Sequence, residues 1–113
     1  MLSSFALVLV VASCGVDLGD CPPDSEAQQI EGRAVVQAQC VRCHSSQLSG
    51  ADRQSAPEDL NFDDLGTVQE EAESMYGEAE EGAMPPEAPL DSASLEAMRV
   101  WLACGAKDVQ ASE

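Results

Sequence analysis

Five consecutive residues, Cys40-Val41-Arg42-Cys43-His44, make the most specific chemical demand in this 113-residue chain. Two thiols three positions apart can each add to one of two vinyl groups on a planar macrocycle. An imidazole directly after the second thiol then lies under the ring, with a nitrogen facing the central iron. This is the C-x-x-C-H spacing of covalent haem attachment. Two other uses of the same residues are weaker. A dithiol redox pair belongs in a βαβ context, and no strand-like run precedes Cys40. A zinc site calls for a second Cys or His pair, whereas His44 is the only histidine and Cys14, Cys21 and Cys104 are scattered.

Residues that hold a haem must be carried by elements around it, and the hydropathy pattern supplies three. Ser25 to Gln39 reads as a helix, capped by Asp24 or Ser25, with Glu26 in its first turn. Ile30, Ala34 and Ala38 recur every four residues along it, and Val36 and Gln37 continue it toward the haem cysteines. Gly32 sits in its middle, where glycine costs about 1 kcal/mol against alanine; close contact with another helix backbone would offset that cost. Ser45 to Pro57 is polar and carries no period, and Leu60-Asn61-Phe62 is a short apolar interruption. A second helix starts from Asp63 or Asp64 and runs through about Ala79, with Leu65, Val68, Ala72 and Met75 on one face and Gly82 closing it. Met84-Pro85-Pro86 must be extended, because proline lacks an N–H and biases its predecessor away from the helix. The last helix covers roughly Ser92 to Cys104, capped by Asp91, with Leu95, Met98, Trp101 and Leu102 on its apolar face and Gly105 ending it.

Composition bounds the setting. The formal charge is -16, from 21 acidic against 5 basic residues. That argues against nucleic acid and an anionic membrane surface as direct partners. Large aromatic side chains are few (Phe5, Phe62, Tyr76 and Trp101), so the protein core is thin and a covalently held porphyrin would fill it. Residues 1–13 read as a signal peptide: Phe5 to Ala12 is an apolar run of eight, too short to span a bilayer. It ends at Val11-Ala12-Ser13-Cys14, which resembles the lipobox of bacterial lipoproteins. That resemblance implies lipidation of Cys14, export, and anchoring on the periplasmic side of a bacterial membrane, although Met1 to Ser4 lacks the usual Lys or Arg. The alternative is a signal that is cleaved without lipidation. Residues 14–24, rich in Gly, Pro and Asp, then read as a tether, and residues 107–113 as a flexible tail.

The order helix, C-x-x-C-H, loop, helix, Met-Pro, helix resembles the small single-haem cytochromes c over about residues 25–106. The resemblance implies an all-α fold, with about three helices packed around one covalent haem. Gly32 stands eight positions before Cys40, where the family has glycine; Val36 stands where it usually has an aromatic. The family's last helix crosses over that glycine with large side chains, here Met98 and Trp101. Pro57 matches the proline whose carbonyl orients the axial imidazole. Met84, in a Gly-Ala-Met-Pro-Pro stretch, matches the loop that supplies the second axial ligand, while Met75 and Met98 sit at helical spacing and fit a core role. Axial ligation by His44 and Met84 fills both faces of the iron, leaving no open position for oxygen or substrate. The expectation is therefore a carrier of single electrons rather than an enzyme, with a basic docking face on its redox partners. The other functional reading is a haem-bearing accessory subunit or redox sensor of a larger complex. Crossing of the first and last helices would also bring Cys21 and Cys104 near one another, as a disulfide in an oxidising compartment or as two free thiols.

Overall fold

The computed structural model describes residues 16–111; the signal-like run 1–13, the lipidation candidate Cys14 and the last two residues lie outside them. Within that span the chain is all-helical, with α1 (Glu26–Gln39), α2 (Leu65–Glu80) and α3 (Ser92–Ala103) and a short 3₁₀ turn at Gly50–Arg53. No strand occurs among the described residues.

Two helices start as their side chains dictate. The Asp64 carboxylate accepts the Gly66 N–H and the Thr67 hydroxyl at the head of α2. Asp91 accepts the Ser94 N–H at 2.8 Å at the head of α3. These bonds satisfy donors that the first turn of a helix leaves without partners. Helix α1 differs. Ser25 occupies its N-cap position, but the hydroxyl turns back to the Pro22 carbonyl at 2.7 Å and caps nothing.

Helix α3 is the central element and packs against both α1 and α2. Its crossing with α1 is centred on Gly32. A Cβ at that position would lie 2.0 Å from the Ala97 carbonyl oxygen and 2.8 Å from the Trp101 Cβ. The two backbones therefore touch, and only glycine leaves the room. Around the crossing, Val36, Val68, Met75, Met98, Trp101 and Leu102 form the core. The Trp101 indole N–H donates to the Lys107 carbonyl at 2.9 Å, so this large side chain is buried with its one polar group satisfied.

The buried face of α1 consists of Gly32 and Val36, whereas Ala34 and Ala38 are exposed and line an open groove with Pro89 and Leu90. The described part of the segment read as a tether is docked. Val16 meets Gly77 of α2, and the Arg99 guanidinium holds the carbonyls of Leu18 and Asp20 at 2.7 and 3.1 Å. The start of the segment read as a loose tail is also fastened, because Arg33 pairs with Asp108 and donates to the Val109 carbonyl at 2.8 Å. What holds both ends is arginine on the helices they cross, bonding to backbone carbonyls that the sequence does not display.

Candidate functional site

The site begins where α1 stops. The Cys40 N–H still donates to the Val36 carbonyl, and the N–H groups of Cys43 and His44 both donate to the Cys40 carbonyl, at 3.2 and 2.9 Å. The helix thus ends in one tight turn that carries both thiols and the imidazole. Cys40 and Cys43 are free and partly exposed. Burial pushes the Cys40 thiol up to about 11, against the opposing pull of Arg42. At neutral pH that sulfur is a thiol and not a thiolate, which makes it a poor partner for dithiol exchange.

His44 is held by the three residues that interrupt the following loop. A carbonyl can only accept, so the His44 Nδ1–H donates to Leu60 O, at 3.1 Å. The Phe62 N–H returns a 2.8 Å bond to the His44 carbonyl, and the Phe62 ring stacks on the imidazole with centroids 4.6 Å apart. Burial lowers the His44 pKa; the Leu60 carbonyl opposes this and the Arg53 charge adds to it. The ring is thereby kept neutral, with Nδ1 engaged and the Nε2 lone pair free. That is the state in which imidazole binds a metal.

The orienting carbonyl belongs to Leu60 and not to Pro57. The Pro57 carbonyl instead accepts from Arg53 Nη2 and from the Leu60 N–H. Proline still has a part, since it forms the turn that sets the Leu60 carbonyl in place. Arg53 organises the whole loop. It is 3 % exposed and donates to the carbonyls of Ser45, Leu48, Ala56, Pro57 and Leu60 and to the Asn61 side chain. The Asp63 carboxylate closes the other edge, accepting from the Ser45 and Ser46 hydroxyls and the Ser46 N–H. Sequence reasoning missed Arg53, and the only signal for it was a lone arginine in a polar stretch.

Met84 lies on the loop after α2, its N–H bonded to the Glu78 carbonyl at 3.2 Å. It is 42 % exposed, whereas Met75 and Met98 are buried in the core. Cys21 and Cys104 lie at disulfide distance, with Cα atoms 4.8 Å apart. Among the described residues, no three or more His, Cys, Asp or Glu side chains gather as a metal-binding group, and no helix is long and apolar enough to cross a membrane.

These residues fit the demands of a covalent haem. Two free thiols share one turn with a neutral imidazole whose outer nitrogen is already fixed, and one thioether remains out of the core. Compared with protein-family models, curated proteins and solved structures, the chain matches none.

Proposed function

We propose that this chain is an exported c-type cytochrome that carries single electrons. The observation that carries the reading is the turn Cys40–His44, with its imidazole Nδ1–H given to the Leu60 carbonyl. In this reading Cys40 and Cys43 would hold one haem through thioether bonds, and His44 and Met84 would be the protein ligands to its iron. The haem, when bound, supplies a one-electron iron couple. The protein's part is positional. Leu60 and Phe62 fix the imidazole plane, Arg53 fixes Leu60, and Pro85 and Pro86 stiffen the loop that offers the Met84 sulfur. Cys14, as a lipidated first residue, would keep the carrier on the periplasmic side of a bacterial membrane.

Charge supports a basic docking face on the redox partner. Of the five basic residues, Arg33 and Arg99 are ion-paired and Arg53 is buried, which leaves Arg42 and Lys107 at the surface against a formal charge of -16. Such a surface steers basic partners and repels acidic ones, and added salt weakens both effects.

The test is carbon monoxide added to the reduced, haem-loaded protein. With both axial positions filled by His44 and Met84, the spectrum should not change and a redox titration should follow a one-electron curve. Prompt carbon monoxide binding would mean an open position and would replace the carrier with a ligand-binding haem protein.

A further inference from the structure

We infer that Arg53 positions the axial imidazole and biases the iron toward its reduced state, an inference that rests on the haem reading above. The first observation is an imbalance of charge. The Arg53 guanidinium is 3 % exposed, and every partner it has is neutral: five backbone carbonyls and the Asn61 side-chain oxygen. The ion pairs among the described residues are Arg33–Asp108 and Arg99–Glu96. A guanidinium cannot shed its proton to escape burial. The loop therefore encloses a whole positive charge with no carboxylate against it, in a protein that has carboxylates in large excess. Fastening carbonyls alone does not call for that, because uncharged donors bond carbonyls without the cost of burying a charge.

The second observation is a shared acceptor. The Leu60 carbonyl receives both Arg53 Nη2, at 3.4 Å, and His44 Nδ1, at 3.1 Å. Arg53 also holds the two ends of the loop around it, at Ser45 and at Pro57. Two consequences follow. The direction of the carbonyl, and with it the imidazole plane, depends on the guanidinium fork. A cation on the same oxygen also weakens it as an acceptor for the imidazole N–H, so His44 would take on less imidazolate character and give less electron density to a bound iron. The direct field of the cation acts in the same sense, because the oxidised iron carries one more positive charge than the reduced iron. Both effects favour the reduced state.

The experiment uses the exported, haem-loaded protein with Arg53→Gln, which removes the charge, and Arg53→Lys, which keeps the charge but loses the fork. At fixed ambient potential, Arg53→Gln should raise the ratio of oxidised to reduced protein, the direction expected for loss of a positive charge near the iron. Arg53→Lys should leave the ratio close to that of the unaltered protein. Proton exchange of the His44 Nδ1–H, followed by NMR in the reduced state, should quicken in both variants. An unchanged ratio in Arg53→Gln together with unchanged exchange in Arg53→Lys would overturn the inference. If Arg53→Gln fails to mature, exchange in Arg53→Lys decides: faster exchange supports positioning, and unchanged exchange overturns it. Failure of the unaltered chain to acquire covalent haem is a separate result, and it would overturn the functional reading instead.

Discussion

At the residue scale, Met84 differs from the other described methionines in its accessibility to a ligand: it is 42 % exposed, against 6 % for Met75 and 1 % for Met98. On the proposed ligation, Met84→Ala should abolish the near-infrared band of sulfur bound to ferric iron and lower the potential. Met75→Ala and Met98→Ala should keep the band and lose about 2–5 kcal/mol of stability, as buried methionines do. A band that survives Met84→Ala would move the ligand elsewhere. Asp63 offers a pH test of the loop. Burial raises its pKa, but the donors from Ser46 and Ser45 outweigh burial and bring it below the ordinary 3.8. A carboxylate depressed in the folded state contributes stability above its unfolded value and loses it as pH falls through the folded value. Stability should therefore decline below about pH 4, and Asp63→Asn should flatten that part of a curve of unfolding midpoint against pH. At this scale the sequence displays Cys40, Cys43 and His44 by side-chain type, and the structure places them on one turn. The sequence is silent on Leu60, whose contribution is a backbone carbonyl that any residue possesses.

At the scale of elements, the crossing of α1 and α3 sets the geometry on which the Cys40–His44 turn is mounted. Gly32→Ala sets two effects against each other. Alanine improves intrinsic helix propensity by about 1 kcal/mol. Its Cβ would lie 2.0 Å from the Ala97 carbonyl oxygen, a backbone atom that cannot turn aside. The clash wins, because the helices must separate and loosen the packing of Val36 against Trp101. Thermal unfolding should show Gly32→Ala less stable than the unaltered protein, by about 1–3 kcal/mol; an equal or higher midpoint would show that the helices do not touch there. The spans of α2 and α3 are readable because acidic caps, apolar periodicity and closing glycines agree. The face of α1 is not, because the four-residue spacing of Ile30, Ala34 and Ala38 competes with that of Gly32 and Val36. Only the crossing helix decides between them. The segment from Ser45 to Asp63 has no period to read, since its order comes from one arginine gathering carbonyls rather than from an apolar stripe.

At the scale of the molecule, the two ends of the helical fold are drawn together, Cys21 ahead of α1 and Cys104 at the end of α3, 83 residues apart in sequence. A closure of that length contributes about 4 kcal/mol by restricting the unfolded chain. Paired replacement of both cysteines by serine should lower the free energy of denaturant unfolding by about that amount. Recovery of Cys21 and Cys104 as free thiols from the exported protein would contradict the pairing. The same view explains why a chain with few large apolar side chains can fold around a thin core: α3 is shared by both other helices, and arginines tie the ends down. The central claim concerns what that fold holds. It is tested most directly by expressing the full chain with a c-type haem attachment system and recording the absorption spectrum of the alkaline, reduced pyridine adduct after acid–organic extraction. The account predicts one haem per chain, retained through extraction, with the α-band position of a porphyrin whose two vinyl groups are saturated, and loss of that retention when both Cys40 and Cys43 are replaced by serine. An exported protein with no Soret absorption, in which Cys40 and Cys43 both react with an alkylating reagent, would contradict it.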